Sequence, residues 1–144
     1  MRKIILMGAV GCGKTTLCQA LKGEALSYNK TQAVSYYPDM IDTPGEFILH
    51  RQYYSALSVS AADAEVVCIV QSVTELEQVF SPGFASMFPK QVVGIVSKTD
   101  LAQNDEQIEQ IRQQLEAAGA EKIFYASSVN QAGLEELRSF LEGE

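Results

Sequence analysis

Long apolar runs, a disulfide framework and an excess of basic charge are all missing from this chain of 144 residues. No apolar run approaches the ~20 residues that a helix needs to cross a bilayer, so membrane insertion is not expected. Three cysteines, Cys12, Cys18 and Cys68, are too few for a framework of bridges and have no second pair at metal-ligand spacing. An odd number of thiols fits a reducing compartment, which points to the cytoplasm. Cys68 lies inside an apolar run and reads as a small core residue. Lys and Arg total 11 against 18 Asp and Glu, a net charge of −7. A nucleic-acid partner wants a basic face, so none is expected. Met1-Arg2-Lys3 leads straight into an apolar segment, so no leader peptide is expected either.

What is present is ample core material, 47% hydrophobic residues, at the length of one domain. One domain is expected over residues 1–144. Its pattern alternates strand and helix. Ile4–Met7, 65–70 and 92–96 are continuous apolar runs, the signature of strands covered on both faces. Thr31 to Tyr37 can form a strand, and Pro38-Asp39 turns the chain into a short strand ending at Ile41. Ile123 to Ala126 is the last strand. Helices are expected from about Lys14 to Lys22, Tyr53 to Ala64, Asn104 to Ala118 and Gly133 to Leu141. The third of these is the clearest, with Ile108, Ile111 and Leu115 at helical spacing, Asn104 or Asp105 to cap it and Gly119 to end it. Ser72 to Pro89 is least regular and reads as a short helix plus loop. These units predict a three-layer α/β/α fold, mostly a parallel sheet of about six strands with one short antiparallel strand.

The strongest local signal is Gly8-Ala9-Val10-Gly11-Cys12-Gly13-Lys14-Thr15, a match to G-x-x-x-x-G-K-[ST] between an apolar strand and a helical pattern. Glycines let successive backbone N–H groups turn toward phosphate oxygens, and the helix N-terminus adds partial positive charge. Gly8, Gly11, Cys12, Gly13, Lys14, Thr15 and Thr16 are therefore candidate nucleotide-binding residues. Lys14 supplies a point charge to the β- and γ-phosphates, and the Thr15 hydroxyl suits Mg²⁺.

Two further motifs follow in order. Asp42-Thr43-Pro44-Gly45 stands at a strand end, where the Asp42 carboxylate suits Mg²⁺ and the Gly45 N–H can meet a γ-phosphate. The same residues also make an ordinary Asp-Pro-Gly turn. Ser97-Lys98-Thr99-Asp100 occupies the place of [NT]-K-x-D. An aspartate there can accept two hydrogen bonds from guanine, and adenine offers no such pair. Ser97 replaces the usual Asn, and its shorter side chain predicts a softer loop or weaker guanine affinity. The alternative for this motif is a helix N-cap. Ser127-Ser128, after the last strand, is placed to offer backbone N–H groups to the base. Thr31 is the candidate to complete the Mg²⁺ shell, eleven positions before Asp42. Glu46 stands where a glutamine would position water. A carboxylate is repelled by the γ-phosphate, so slow hydrolysis is expected. His50 and Arg51 read as surface residues more readily than as cis-acting charges.

The ordered set G-A-V-G-C-G-K-T-T, K-T-Q-A-V, I-D-T-P-G-E-F, Y-Y-S-A-L, S-P-G-F-A-S-M-F and S-K-T-D-L resembles the EutP/PduV family of small Ras-like GTPases over nearly the whole chain. The resemblance implies a cytoplasmic bacterial protein that binds GTP and GDP with Mg²⁺. It also implies association with the shell or enzyme proteins of ethanolamine or propanediol microcompartments. Lys14, Thr31, Gly45 and Glu46 are then the catalytic candidates, with Thr15, Thr31 and Asp42 at the metal. Two other classes stay open. One is an ATP-dependent phosphotransferase acting on a small acid, with an acceptor pocket around Phe80 to Phe88. The other is a nucleotide-gated docking module presenting Tyr53, Tyr54, Phe84, Met87 and Phe88.

Overall fold

A computed structural model describes residues 3–9, 12–14, 16–17, 35–36, 40–43, 51–75, 77, 79–127 and 133–141, with only the backbone of 35–36, 40–42, 51 and 141. Among the described residues six strands form one sheet: β1 (Ile4–Met7), β2 (Ser35–Tyr36), β3 (Met40–Asp42), β4 (Val66–Ser72), β5 (Gln91–Ser97) and β6 (Lys122–Tyr125). Their order is β2-β3-β1-β4-β5-β6. Among the described strands only the β2–β3 pair is antiparallel, and the other pairs are parallel. The expected mostly parallel sheet with one short antiparallel strand is what forms.

Both faces of the sheet are covered, and the alternation of side chains along each strand divides the core in two. On one face Ile5, Met7, Val67 and Ile69 pack with Leu57 and Ala61 of α1 (Tyr54–Ala61) and with Ile111, Leu115 and Ala118 of α2 (Asp105–Ala118). On the other Ile4, Leu6, Val66, Cys68 and Val70 pack with Leu17 and with Leu134 and Leu137 of α3 (Leu134–Leu141). Leu17 lies on a helical stretch entered at Lys14. These are the three layers that unbroken apolar strands demand. Burial in this second core pushes the Cys68 thiol up to about 12, so it stays protonated and inert, as expected of a core cysteine.

Capping explains why α2 is the most regular helix. Asn104 Oδ1 accepts from the Gln107 N–H at 2.9 Å, and Gln107 Oε1 accepts from the Gln103 N–H at 2.6 Å. A cap of this kind stabilises a helix by about 1 kcal/mol. Gly119 ends it at φ 112°.

The boundaries move in instructive ways. The last apolar turn of the second helix does not continue: Tyr54–Ala61 is α-helical, preceded by a 3-10 turn at Arg51–Tyr53, and 62–64 leave in tight turns. β4 runs two residues past its apolar stretch, through Gln71 and Ser72, because both pair in register with β5. β3 includes Asp42, opposite Leu6 of β1. Only Ser35–Tyr36 of the Thr31–Tyr37 strand falls among the described residues. The irregular segment contains one 3-10 helix, Phe84–Met87. Phe80, Phe84 and Phe88 are buried there, with Phe84 in ring contact with Phe80, Phe88 and Tyr54. Phe84 and Phe88 of the cluster weighed as a docking surface are therefore core, the role that sequence favours for such aromatics, while Tyr53, Tyr54 and Met87 stay half-buried. Burying a phenyl ring stabilises a fold by about 1.5–3 kcal/mol, and three of them hold this irregular segment inward.

Candidate functional site

Parallel strands bring their C-terminal ends to one edge of the sheet, and the described residues of the candidate motifs lie on that edge. The glycine-rich loop leaves β1 where β3 flanks it on one side and β4 on the other. Such a switch in strand order opens the crevice in which α/β sheets bind ligands.

Gly8 meets the edge first. A Cβ there would lie 2.5 Å from the Val70 carbonyl oxygen and 2.7 Å from Cys12 Sγ, so only glycine lets the loop pass this close to β4. The Cys12 N–H closes a turn onto the Ala9 carbonyl at 3.2 Å, and Gly13 takes φ 93°. The Leu17 N–H then bonds to the Gly13 carbonyl at 2.8 Å, the first turn of the following helix. Lys14 is buried, and its Nζ lies 4.0 Å from Cys12 Sγ. Thr16 is half-buried at the same turn. Strand, loop and helix thus stand in the order that a phosphate cradle requires.

Across β1, Thr43 is fully buried. Its hydroxyl donates to the Leu6 carbonyl at 2.7 Å, tying the end of β3 to the last turn of β1 before the loop. The D-T-P-G motif contains this threonine, but nothing in the motif assigns it a part. Its partner is 37 positions away. The register of Asp42 with Leu6 places the Asp42 backbone at the same edge. A hydroxyl and a carboxylate oxygen are hard donors of the kind Mg²⁺ takes, so the set Thr15, Thr31 and Asp42 fits that ion in chemistry. Thr15 and Thr31 lie outside the described residues, as do Gly11, Gly45, Glu46, His50 and Ser128.

The far side of the edge is assembled from β5 and β6. Ser97 is buried, and its hydroxyl donates to the Cys12 carbonyl at 2.5 Å. The shorter side chain expected to soften this loop still reaches the glycine-rich loop, because β5 ends close enough for a hydroxyl to span the gap. Lys98 takes φ 56°, the only non-glycine residue with positive φ among those described. Its Cε lies 3.6 Å from where a Gly13 Cβ would be, so the lysine stem runs along the glycine-rich loop. Thr99–Leu101 is a 3-10 turn without a side-chain cap, and Asn104 caps the helix that follows. The helix-cap reading of S-K-T-D is thereby set aside. Ser127, fully buried, donates to Asp100 Oδ1 at 2.6 Å. The Thr99 N–H meets the Ala126 carbonyl at 3.4 Å. The Asp100 carboxylate is exposed and held at one oxygen.

Gly133 completes this end. It takes φ 77°, and a Cβ there would fall on the Tyr125 carbonyl oxygen. Only glycine lets α3 start directly against the end of β6.

Fold and site together give the architecture of a P-loop NTPase, a parallel α/β sheet with a glycine-rich loop at its switch point. A family model described as "Ethanolamine utilisation - propanediol utilisation" (PduV-EutP) matches residues 1–143. The chain is 41% identical over 144 residues to "Propanediol utilization protein PduV" of Citrobacter freundii, covering 100% of this chain and 95% of that protein. It is 37% identical over 108 residues to "Probable acetate kinase EutP" of Salmonella typhimurium, and 36% over 107 residues to the Escherichia coli protein of the same name. Each of those two matches covers 73% of this chain and 67% of the relative. The chain belongs to the PduV-EutP family. Among the described residues no helix is long and apolar enough to cross a membrane.

Proposed function

We propose that the chain is a Mg²⁺-dependent GTP-binding protein with slow intrinsic hydrolysis, acting in ethanolamine or propanediol utilisation. The observation that carries the guanine reading is the Ser127–Asp100 hydrogen bond. It orients a carboxylate at the end of β5 while leaving an oxygen for the paired donors of guanine, which adenine lacks. The Ser97 bond to the Cys12 carbonyl supports a single site, because it joins this base end to the phosphate end. Backbone N–H groups of the glycine-rich loop and Lys14 would hold the phosphates. Thr15, Thr31 and Asp42 would hold Mg²⁺, which when bound neutralises charge on the phosphates. Glu46 in place of a water-positioning glutamine supports slow turnover. In this reading the protein is cytoplasmic and alternates between GTP- and GDP-bound forms toward microcompartment shell or enzyme proteins.

Calorimetry of GTP, GDP, ATP and ADP with Mg²⁺ tests the reading. Guanine nucleotides are expected to bind at least about tenfold tighter than adenine nucleotides, and Asp100→Ala to abolish that preference. Equal or tighter ATP binding overturns it.

A second reading has one specific support, the name of the Salmonella and Escherichia relatives, "Probable acetate kinase EutP". It is transfer of the γ-phosphoryl group of ATP to a carboxylate oxygen of a small acid, releasing ADP. Formation of acyl phosphate from ATP and acetate, trapped with hydroxylamine, would bring it forward.

A further inference from the structure

β1 and β3 part company just before the glycine-rich loop. Their register pairs Ile4 with Met40, Ile5 with Ile41 and Leu6 with Asp42. Met7, the next residue of β1, pairs with Ile69 of β4 on the other flank. One rung toward β3 follows the Leu6–Asp42 pair, from the Thr43 N–H to the Leu6 carbonyl, and it is stretched to 3.4 Å. The Thr43 hydroxyl donates to the same carbonyl at 2.7 Å. A backbone bond of this kind is commonest at about 2.9 Å, so the backbone rung is near its limit and the side chain holds the junction.

Thr43 and Leu6 are both fully buried. A buried hydroxyl is costly unless it is bonded, and this one spends its proton on the carbonyl two residues before Gly8. Valine would fill the same shape and leave that carbonyl with the stretched rung. The other flank of the loop is fixed by different means: Gly8 lies against the Val70 carbonyl of β4, and Ser97 donates to the Cys12 carbonyl. Toward β3, the described bond that does this work belongs to Thr43.

The residues proposed to hold Mg²⁺ stand on both sides of this junction. Asp42 immediately precedes Thr43, and its backbone lies opposite Leu6. Thr15 immediately follows Lys14, where the glycine-rich loop enters its helix. Mg²⁺ demands near-octahedral ligands at about 2.0–2.1 Å, so a small change in the separation of two ligand-bearing segments is a large change in fit.

We propose that Thr43 is a positioning residue. Its hydroxyl holds the end of β3 to the strand that carries the glycine-rich loop, and so sets the spacing on which Mg²⁺ binding depends. This role rests on the Mg²⁺-nucleotide reading and is independent of which base is bound.

Thr43→Val removes the donor and keeps the shape, while Thr43→Ser keeps the donor. The Mg²⁺ concentration that gives half of the full nucleotide affinity is measured by calorimetry for the parent and both variants, with GTP and with ATP. Binding in EDTA is followed by ligand-observed NMR. Thr43→Val is expected to need at least about fivefold more Mg²⁺, with binding in EDTA within about twofold of the parent. Thr43→Ser is expected to stay within about twofold of the parent in both. In nucleotide-free protein, amide exchange over residues 40–43 is expected to quicken in Thr43→Val and not in Thr43→Ser. If Thr43→Val does not fold, Thr43→Ala takes its place with the same expectations.

A threonine that only supports the fold would lower affinity as much in EDTA as with Mg²⁺. That result, an unaltered Mg²⁺ requirement, unaltered exchange, or Thr43→Ser impaired as much as Thr43→Val overturns the proposal. A parent that prefers ATP overturns the guanine reading alone, because the Mg²⁺ comparison is then decided with ATP. A parent whose binding ignores Mg²⁺, or that binds neither nucleotide, overturns both.

Discussion

The two ends of the candidate site are built by different means. The phosphate end is one stretch of backbone: a strand, a loop whose glycines give it shape, and the first turn of a helix. The end proposed to read the base, here the base end, is a set of side chains brought together by separate strands: Ser97 at the end of β5, Lys98 and Asp100 from the turn beyond it, and Ser127 from beyond β6. Backbone chemistry is written in contiguous residues, because the conformations that glycine permits are local. Side-chain chemistry depends on what the sheet brings together. The bonds that fix the base end span 85 positions for Ser97 to Cys12 and 27 for Ser127 to Asp100. The same loop edge therefore holds a half that a motif can specify and a half that the parallel sheet must assemble.

The sharpest way to break the base end without touching its polar groups is Gly133→Ala. The added methyl would fall on the Tyr125 carbonyl oxygen at a positive φ. A loss of stability above about 3 kcal/mol is expected in urea denaturation, with the β6–α3 junction opened. An alanine variant as stable as the parent would mean that this junction is soft.

Ser127→Ala comes next and separates the two ends. It removes one hydrogen bond to a carboxylate, a group for which such bonds contribute about 1.5–3 kcal/mol. Binding of GTP and GDP should weaken about tenfold, while weak ATP binding stays unchanged, as read by calorimetry. An equal loss for both bases would show that Ser127 supports the edge as a whole.

Ser97→Ala should do what Ser127→Ala does not. Its partner is a carbonyl of the glycine-rich loop, so its loss acts on both ends. About 1 kcal/mol of stability and a few-fold of affinity for guanine and adenine nucleotides alike are expected to go, measured by thermal unfolding and calorimetry. A purely guanine-selective effect would move Ser97 to the base end alone.

The smallest effect should come from α2, far from this edge in chemistry. Arg112 bonds to Glu109 and Glu116 on an exposed face. The hydrogen bond from Arg112 holds the Glu109 carboxyl below its usual range. A carboxyl lowered by folding stabilises the protein above its unfolded pKa and loses that contribution as pH falls through the folded value. Solvent screens such pairs, so Arg112→Ala should leave the melting temperature unchanged at neutral pH and flatten its fall in acid only slightly.

The fold was legible because its elements are self-declaring. Unbroken apolar runs such as Ile4–Met7 have to be covered on both faces, and the helical spacing of Ile108, Ile111 and Leu115 has one amphipathic solution. Element ends were less so. Gln71 and Ser72 carry no apolar signal, yet β4 includes them because β5 offers their backbones hydrogen bonds in register. For the aromatic residues from Phe80 to Phe88 sequence favours core or loop anchors over a contact surface, but breakers Pro82, Gly83 and Pro89 hide how a loop can deliver them; in space the loop folds inward and the rings of Phe80, Phe84 and Phe88 fill the core under α1. Residue order alone thus specifies a parallel α/β sheet and a glycine-rich loop between strand and helix, along with the succession of motifs and the family. Folding in three dimensions adds that Thr43 clasps β1, that Ser97 reaches across to Cys12 and that Ser127 holds Asp100. Each of these is a hydrogen bond between groups that the fold brings together, and its existence depends on angstrom-scale distances that residue order does not encode.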